Sequence, residues 1–293
     1  MNSSATLGAL QQHLHTEGAT EVMVTADGTV WVETAPGIRQ CGRLTPQEMS
    51  LVIERITRAS GRRVDMASPV VDAVLPDGSR ACVVLPPVAV GGPVLAVRRF
   101  PHVVHPLSAF ADDPTVRELR GLVSSRRNIV VSGATSSGKT SLLASLCRHV
   151  PARERIVVIE DTAELALENP HVVRLQTRNA TADGVGAVSA QDLVRTAMRL
   201  RPDRIVMGEV RGGEVVDMLM ALTSGHEGSL TTVHARSARH ALDRLVTLAL
   251  RDNPQFSAGE LRTLVGNAID AVVHVDRGPL GSRRVVEVLH TRE

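Results

Sequence analysis

The sequence predicts an α/β protein: a parallel sheet with crossover helices in its C-terminal part, preceded by a smaller α+β domain. Three observations predict this fold. Strand and helix patterns alternate from residue 128 to 250, and a Gly-rich loop joins the first of these strands to a helix. A Pro-containing stretch, 100–106, separates this half from a region of short strands. Alternating strands and helices are typical of parallel sheets. We expect domains at 1–100 and 108–293, with a linker at 101–107.

The N-terminal elements follow from turn and cap signals. A first helix is expected up to about Glu17, with leucines on one face. Thr45, Pro46 and Glu48 predict a second helix, because they match an N-cap, a first-turn proline and a capping box. Runs of apolar residues around Asp-Gly turns and a Pro/Gly stretch predict strands at 21–24, 29–33, 70–75, 80–85 and 94–100.

The C-terminal elements alternate in type. Apolar runs predict strands at 128–132, 155–160, 204–209 and 229–233. Apolar residues at helical spacing predict helices from residue 138 and at 191–200, 214–223 and 236–250. No internal repeat interrupts this order.

Composition excludes several classes of site. The net charge is only +2 and aromatic residues make up 1% of the chain, so direct nucleic-acid binding is not expected. The three cysteines, Cys41, Cys82 and Cys147, form no CxxC pair, which argues against a zinc site. The longest uncharged run, 81–97, is broken by prolines and glycines. We therefore expect a soluble cytosolic protein.

Residues 133–140 match the pattern GxxxxGK[ST] between an apolar strand and a helix, which is the context a phosphate-binding loop requires. Its glycines let successive backbone N–H groups face phosphate oxygens. Lys139 would bridge the terminal phosphates, and the Thr140 hydroxyl would bind Mg²⁺. The predicted nucleotide-binding residues are Gly133, Ala134, Thr135, Ser136, Ser137, Gly138, Lys139, Thr140 and Ser141.

Lys139 is the one lysine among 33 basic residues, so 32 are arginines. The excess of arginine is typical of a GC-rich genome. The exception is informative, because a compact ammonium fits a phosphate-binding loop better than the planar fork of a guanidinium.

Two further apolar runs end in carboxylates. Glu160 and Asp161 end one, and Glu209 ends a second about seventy residues after the lysine, preceded by Gly208. Strand ends near a phosphate-binding loop face the ligand in open α/β sheets. Glu160 and Glu209 are therefore candidates for two catalytic roles: outer-sphere support of Mg²⁺ and orientation of the attacking water. The sequence does not assign these roles between them, and Asp161 is expected to hold local structure.

His234 closes the predicted strand at 229–233. A histidine at a strand end can contact the γ-phosphate or orient a glutamate, so we include it among the catalytic candidates.

The order of these patterns, together with the segments 159–165, 171–175, 192–195, 199–206, 208–214 and 225–235, resembles the type II/type IV secretion ATPase superfamily. Within it, the chain is similar to CpaF-like ATPases that assemble tight-adherence (Tad/Flp) pili. The resemblance covers nearly the whole chain from about Thr20. The tetracysteine element of many type II secretion ATPases is missing, and the loop at 177–188 differs from the usual one. We expect the chain to lack the additional N-terminal region of longer relatives.

The resemblance implies a RecA-like C-terminal domain, a PAS-like N-terminal domain and a homo-oligomer, specifically a hexameric ring. It implies that ATP, with Mg²⁺, lies between the two domains and that hydrolysis moves them about a hinge at 100–107. An inner-membrane platform protein would be the partner, with peripheral attachment to the cytoplasmic face of the membrane.

The resemblance also implies arginines that reach ATP across an interface. A guanidinium there can neutralise charge that builds on the γ-phosphate. The candidates are Arg80, Arg98, Arg99, Arg174, Arg178 and Arg211.

Two alternatives to a hydrolase that powers pilus or secretion-system assembly stay open. The chain could be a nucleotide-gated switch or scaffold with negligible turnover. It could also be a DNA-transfer motor, because the RecA-like core is shared with helicases.

Overall fold

The computed structural model describes residues 7–34, 37–60, 64–99, 104–178, 180, 185–278 and 282–292. The chain divides into two compact units, Met1–Pro101 and His102–Glu293. Residues 101–103 of the predicted linker lie outside the described residues. Val104 and Leu107 are buried in the core of the second unit, and Leu107–Ala109 forms a short 3₁₀ helix.

The N-terminal unit is an antiparallel sheet with helices. The strands follow the order β3-β2-β1-β6-β5-β4 across the sheet. Buried and less buried residues alternate along most of these strands, so one face carries the core. The helices are α1 (Gln11–Leu14) and α2 (Pro46–Ser60), and the strands are β1 (Glu21–Val24), β2 (Thr29–Thr34), β3 (Gly37–Arg43), β4 (Val70–Val74), β5 (Arg80–Val84) and β6 (Val94–Arg98).

Two elements of this unit differ from prediction. The first helix is shorter than expected: a 3₁₀ turn, Gly8–Leu10, leads into α1, which ends at Leu14. Strand β3 was not predicted, because it is an exposed edge strand whose residues lack an alternating apolar pattern. The predicted capping box is confirmed: the Glu48 carboxylate accepts from the Thr45 backbone N–H at 2.8 Å, and the Thr45 hydroxyl accepts from the Glu48 N–H at 3.2 Å.

The C-terminal unit contains a sheet with the order β13-β12-β7-β11-β10-β8-β9. All neighbouring pairs are parallel except β12 and β13, which are antiparallel. The strands are β7 (Ile129–Gly133), β8 (Ile156–Glu160), β9 (Val172–Gln176), β10 (Arg204–Met207), β11 (Leu230–His234), β12 (Ala271–Arg277) and β13 (Arg283–His290). The helices are α3 (Asp113–Ser124), α4 (Lys139–Cys147), α5 (Ala190–Arg199), α6 (Glu214–Leu222), α7 (Ala238–Asp252) and α8 (Ala258–Ala268).

Helices cover both faces of this sheet. Every residue of β7, β8 and β10 is buried. Successive residues of β8 enter different cores: Val157 and Ile159 pack with α5 to α8, whereas Ile156 and Val158 pack with α3 and α4. The carboxyl ends of the parallel strands therefore remain as the edge where polar side chains can meet a ligand.

The sequence-based interpretation missed α3, α8, strand β9 and the hairpin of β12 and β13. The hairpin lies beside β7, with His274 of β12 opposite Ser132. Of the helices in the described part of the chain, none combines the length and the apolar character that crossing a lipid bilayer requires.

Candidate nucleotide site

The Gly-rich loop runs from the end of β7 to the start of α4. Ser136 and Gly138 have positive φ angles of 61° and 100°, so the backbone turns sharply before the helix. A Cβ at Gly133 would collide with the Val275 carbonyl oxygen and the Ser137 hydroxyl, which explains the need for glycine there. The loop therefore presents the N-terminus of α4 at the carboxyl edge of the sheet, where an anion is favoured.

The Lys139 side chain is buried and folds back over this loop. Its Nζ donates to the carbonyl oxygens of Gly133 at 3.2 Å and Ala134 at 2.7 Å, and lies 3.0 Å from His234 Nδ1. Burial lowers the pKa of Lys139 to about 8; Glu209 opposes this change and Arg211 adds to it. The ammonium is held by neutral oxygens in a desolvated position, an arrangement that a phosphate would stabilise.

His234, at the end of β11, joins the lysine to an acid. Its Nε2 lies 3.1 Å from Glu209 Oε1, while its Nδ1 faces Lys139. The pKa of His234 is lowered, first by burial and then by the charge of Lys139, although Glu209 partly opposes this. A neutral ring at this place can pass a hydrogen bond between the ammonium and the carboxylate.

Glu209 also pairs with a guanidinium. Its Oε2 accepts from Arg211 Nη2 at 2.8 Å, and Arg211 Nη1 donates to Asp161 Oδ2 at 3.0 Å. The pKa of Arg211 is raised, mainly by the hydrogen bond to Glu209. A continuous contact chain therefore runs from Lys139 through His234 and Glu209 to Arg211.

Glu160 ends β8, one strand away from Glu209. It is buried, and its Oε1 accepts from the backbone N–H groups of Glu164 and Leu165, both at 2.8 Å. Its Oε2 lies 3.8 Å from Arg174 Nη1 and accepts no hydrogen bond within the described residues. Burial raises the pKa of Glu160, while the two backbone hydrogen bonds oppose the rise. Gly208 makes room for this side chain, since a Cβ there would lie 3.1 Å from Glu160 Cγ.

Asp161, by contrast, is tied into local structure, as expected. Besides pairing with Arg211, it accepts from the Thr177 hydroxyl at 3.2 Å.

The remaining residues of the loop are either exposed or have hydroxyl groups that can bind a ligand. Ala134, Thr135 and Ser136 are exposed. Within the described residues, the buried Ser137 hydroxyl has no hydrogen-bond partner, and the Thr140 hydroxyl makes no hydrogen bond either. A hydroxyl without a protein partner is an oxygen donor that a Mg²⁺ ion retaining several of its waters accepts. The loop therefore fits a phosphate and a hydrated Mg²⁺.

The structure places the six arginine candidates in different surroundings. Arg80, Arg98 and Arg99 belong to the N-terminal unit, where Arg98 pairs with Glu21 at 2.9 Å and Arg99 donates to the Leu14 carbonyl oxygen at 2.6 Å. Within the C-terminal unit, Arg211 joins the contact chain described above.

The other two arginine candidates of the C-terminal unit, Arg174 and Arg178, make no contact with that contact chain within the described residues. Arg174 donates to the Leu165 carbonyl oxygen at 2.6 Å, beside Glu160. Arg178 forms a backbone bridge with Val188, within the loop at 177–188.

Sequence reasoning missed one basic residue at the loop. Arg283 of β13 donates to the Ser141 hydroxyl at 2.9 Å. Neither a motif nor a spacing marks it among 32 arginines, and strand β13 itself was not predicted.

Comparison with known proteins identifies the family of this chain. A family model described as "Type II/IV secretion system protein" matches residues 4–276. The chain is 39% identical to a putative conjugal transfer protein of Mycobacterium tuberculosis, over 98% of this chain and 84% of the relative. It is 28% identical to the VirB11 ATPase from the Brucella suis type IV secretion system, with a TM-score of 0.54 over 98% of this chain and 95% of VirB11.

The fold is also that of a further solved ATPase. The chain is 21% identical to the Legionella pneumophila ATPase DotB, with a TM-score of 0.72 over all of this chain and 83% of DotB. At this identity the likeness concerns the fold alone. The predicted α/β, RecA-like class is confirmed, whereas the PAS-like character of the N-terminal domain and the CpaF-like assignment stay predictions. The chain belongs to the type II/IV secretion system protein family.

Proposed function

We propose that this chain hydrolyses ATP and that hydrolysis drives a type II/IV secretion or pilus-assembly apparatus. The observation that carries the proposal is the contact chain Lys139–His234–Glu209 at the phosphate-binding loop. It places an ammonium, an imidazole and a carboxylate at the carboxyl edge of a parallel sheet, where a γ-phosphate can be bound and attacked.

The residues divide the catalytic work as follows. Lys139 and the backbone N–H groups of the loop bind the phosphates. The Thr140 hydroxyl would hold Mg²⁺, and Glu209 would support the ion from its outer coordination sphere. When bound, Mg²⁺ would neutralise charge on the phosphate oxygens. Both oxygens of Glu209 are engaged by His234 and Arg211, which suits an outer-sphere role.

Glu160 is therefore the residue that we propose to orient the attacking water. Its Oε2 accepts no hydrogen bond among the described residues, so that oxygen is available to accept one from a water molecule. The raised pKa of Glu160 makes it a stronger base than an exposed glutamate.

We also propose that arginines neutralise charge on the γ-phosphate. Arg211, which contacts Glu209 and Asp161, is the candidate in the C-terminal unit. Arg80 and Arg98, which the family resemblance implies, are the candidates in the N-terminal unit.

The test is the ATPase rate of the purified chain with and without Mg²⁺. We expect a Mg²⁺-dependent rate that falls at least about a hundredfold in Lys139→Ala and in Glu209→Gln. The Glu227 residue is exposed and its carboxylate forms no hydrogen bond or ion pair within the described residues, so Glu227→Gln is the matched control and should keep the wild-type rate. A wild-type rate equal to that of Lys139→Ala would contradict the enzymatic proposal.

We further propose a hexameric ring that acts on an inner-membrane platform protein from the cytoplasmic side, in a Tad/Flp-type pilus system. The resemblance to CpaF-like ATPases supports this choice. Light scattering after gel filtration, with a non-hydrolysable ATP analogue present, should give six times the monomer mass. A monomeric mass under all nucleotide conditions would contradict the ring.

A second candidate is a motor of a DNA-transfer apparatus. The description of the Mycobacterium tuberculosis relative as a putative conjugal transfer protein favours it. Binding of single-stranded DNA at submicromolar protein, weakened by salt, would support direct action on DNA. We expect no such binding, because charge is balanced and aromatic residues are rare.

A further inference from the structure

The hairpin of β12 and β13 extends past the end of β7. Residues Ala271 to His274 of β12 pair with 129–132, so Val275 to Arg277 continue beside the phosphate-binding loop. The Val275 carbonyl oxygen lies against Gly133. On the far side of β12, Arg283 of β13 stands opposite Arg277. The start of β13 is therefore held next to the loop by two strand pairings.

The Arg283 side chain lies directly on the loop. A Cβ at Gly138 would come within 2.5 Å of Arg283 Cδ, so the arginine stem packs on that glycine. The guanidinium reaches the first turn of α4, where Nη1 donates to Ser141 Oγ at 2.9 Å. This contact uses one of its five N–H donors.

The charge of Arg283 has no carboxylate partner within the described residues. No carboxylate there lies at ion-pair distance from Arg283 or Arg277, whereas Arg195 contacts Asp217 and Arg211 contacts both Asp161 and Glu209. Like charges directly opposite each other on paired strands are unfavourable. Although the Arg283 residue is exposed overall, partial desolvation of its guanidinium, followed by the charge of Arg277, lowers its pKa. A guanidinium at a helix N-terminus, with a second arginine opposite it on the paired strand, would be stabilised by an anion.

Arg283 and Lys139 approach the loop from different sides. The Lys139 ammonium contacts the Gly133 and Ala134 carbonyl oxygens and His234, on the side of Glu209. Arg283 contacts Gly138 and Ser141 instead. In such loops the lysine reaches the β- and γ-phosphates, while the backbone holds the α- and β-phosphates. Arg283 is thus placed for the phosphates that ATP and ADP share.

We propose that Arg283 binds the α- or β-phosphate of the nucleotide held in this loop, as a residue of the same chain. The inference rests on the proposed function, because it requires a nucleotide at the loop. Ser141 positions the guanidinium, and the like charge of Arg277 opposite it makes the pair less favourable without a bound anion.

The experiment measures the dissociation constants of ADP and of a non-hydrolysable ATP analogue. Arg283→Gln should weaken both by about tenfold or more, the effect typical of losing one charge-assisted hydrogen bond. The ratio of the two constants should stay at its wild-type value. Arg283→Lys, which keeps the charge, should recover part of the loss. Arg284→Gln is the control, because it removes a charge from the adjacent position of the same strand.

Each outcome decides a different point. Unchanged constants in Arg283→Gln, beside a wild-type chain that binds both nucleotides, overturn this inference alone. A loss confined to the ATP analogue overturns the assignment to the shared phosphates. A wild-type chain that binds neither nucleotide overturns the proposed function and this inference together. The thermal midpoint without nucleotide should be equal in wild type and Arg283→Gln, and a large fall would show that the contact is structural.

Discussion

The two sheets of this protein bury their side chains differently. In β4 and β5 of the antiparallel sheet, buried residues alternate with more exposed ones, so one face carries the core. In β7 and β8 of the parallel sheet, every residue is buried, because helices cover both faces. Where both faces are covered, chemistry is confined to the strand ends, and Glu160 and His234 stand at such ends. Where one face is open, charged residues such as Arg80 and Arg98 lie on the strands themselves.

The prediction with the largest expected effect tests whether catalysis depends on a side chain at a strand end of the parallel sheet. Glu160→Gln keeps the oxygen that accepts the Glu164 and Leu165 N–H groups but removes the charge. We expect the ATPase rate to fall about a hundredfold with ADP affinity unchanged. Glu33→Gln, in strand β2 of the antiparallel sheet, is the control and should keep the wild-type rate. Full activity in Glu160→Gln would leave Glu209 as the water-orienting acid.

The second prediction tests the burial pattern itself with one chemical change at four positions. Val157→Ala and Val158→Ala, neighbours on opposite faces of β8, should each lower the free energy of unfolding by about 2 kcal/mol. In β4, the same change should cost a similar amount at Val71, which is 4% exposed, and little at Val70, which is 50% exposed.

Urea unfolding measures these four values. Equal losses at Val70 and Val71 would show that the open face of the antiparallel sheet is covered in solution.

The prediction with the smallest expected effect concerns the charge of Lys139, at the carboxyl edge of the parallel sheet, and its influence on nucleotide affinity. Phosphate binding requires a charged Lys139, whose pKa is lowered to about 8 in the free protein. Below pH 8 the ammonium is already present, whereas above pH 8 binding must take up a proton. The dissociation constant of ADP, measured in EDTA, should therefore rise about tenfold between pH 7 and pH 9.

The control for this pH dependence is Arg283→Gln, which should keep the same slope because Lys139 is unchanged. A flat profile in the wild-type chain would mean that Lys139 titrates outside this range.

Local signals predicted much of the fold. The cap at Thr45, the loop at 133–140 and the apolar runs that form β7, β8 and β10 depend on neighbours in sequence, so spacing and residue type were enough. Strand β3 lacked such signals, whereas the largely apolar run 271–275 of β12 resembles those of β7 and β8 but was not among the predicted strands. An edge strand with one weakly covered face has no clear alternation, and β12 is buried by residues more than a hundred positions away.

For the site, the sequence by itself determined which residues could bind phosphate, because glycines, lysine and threonine at fixed spacing have one local geometry. Only the tertiary structure decided which distant groups meet them. His234 reaches Lys139 from 95 positions away, and Arg283 reaches Ser141 from 142 positions away. These meetings depend on the strand order β13-β12-β7-β11-β10, which is set by packing of the whole sheet. The 32 arginines make functional arginines hard to identify from sequence, since only position in the fold distinguishes one guanidinium from another.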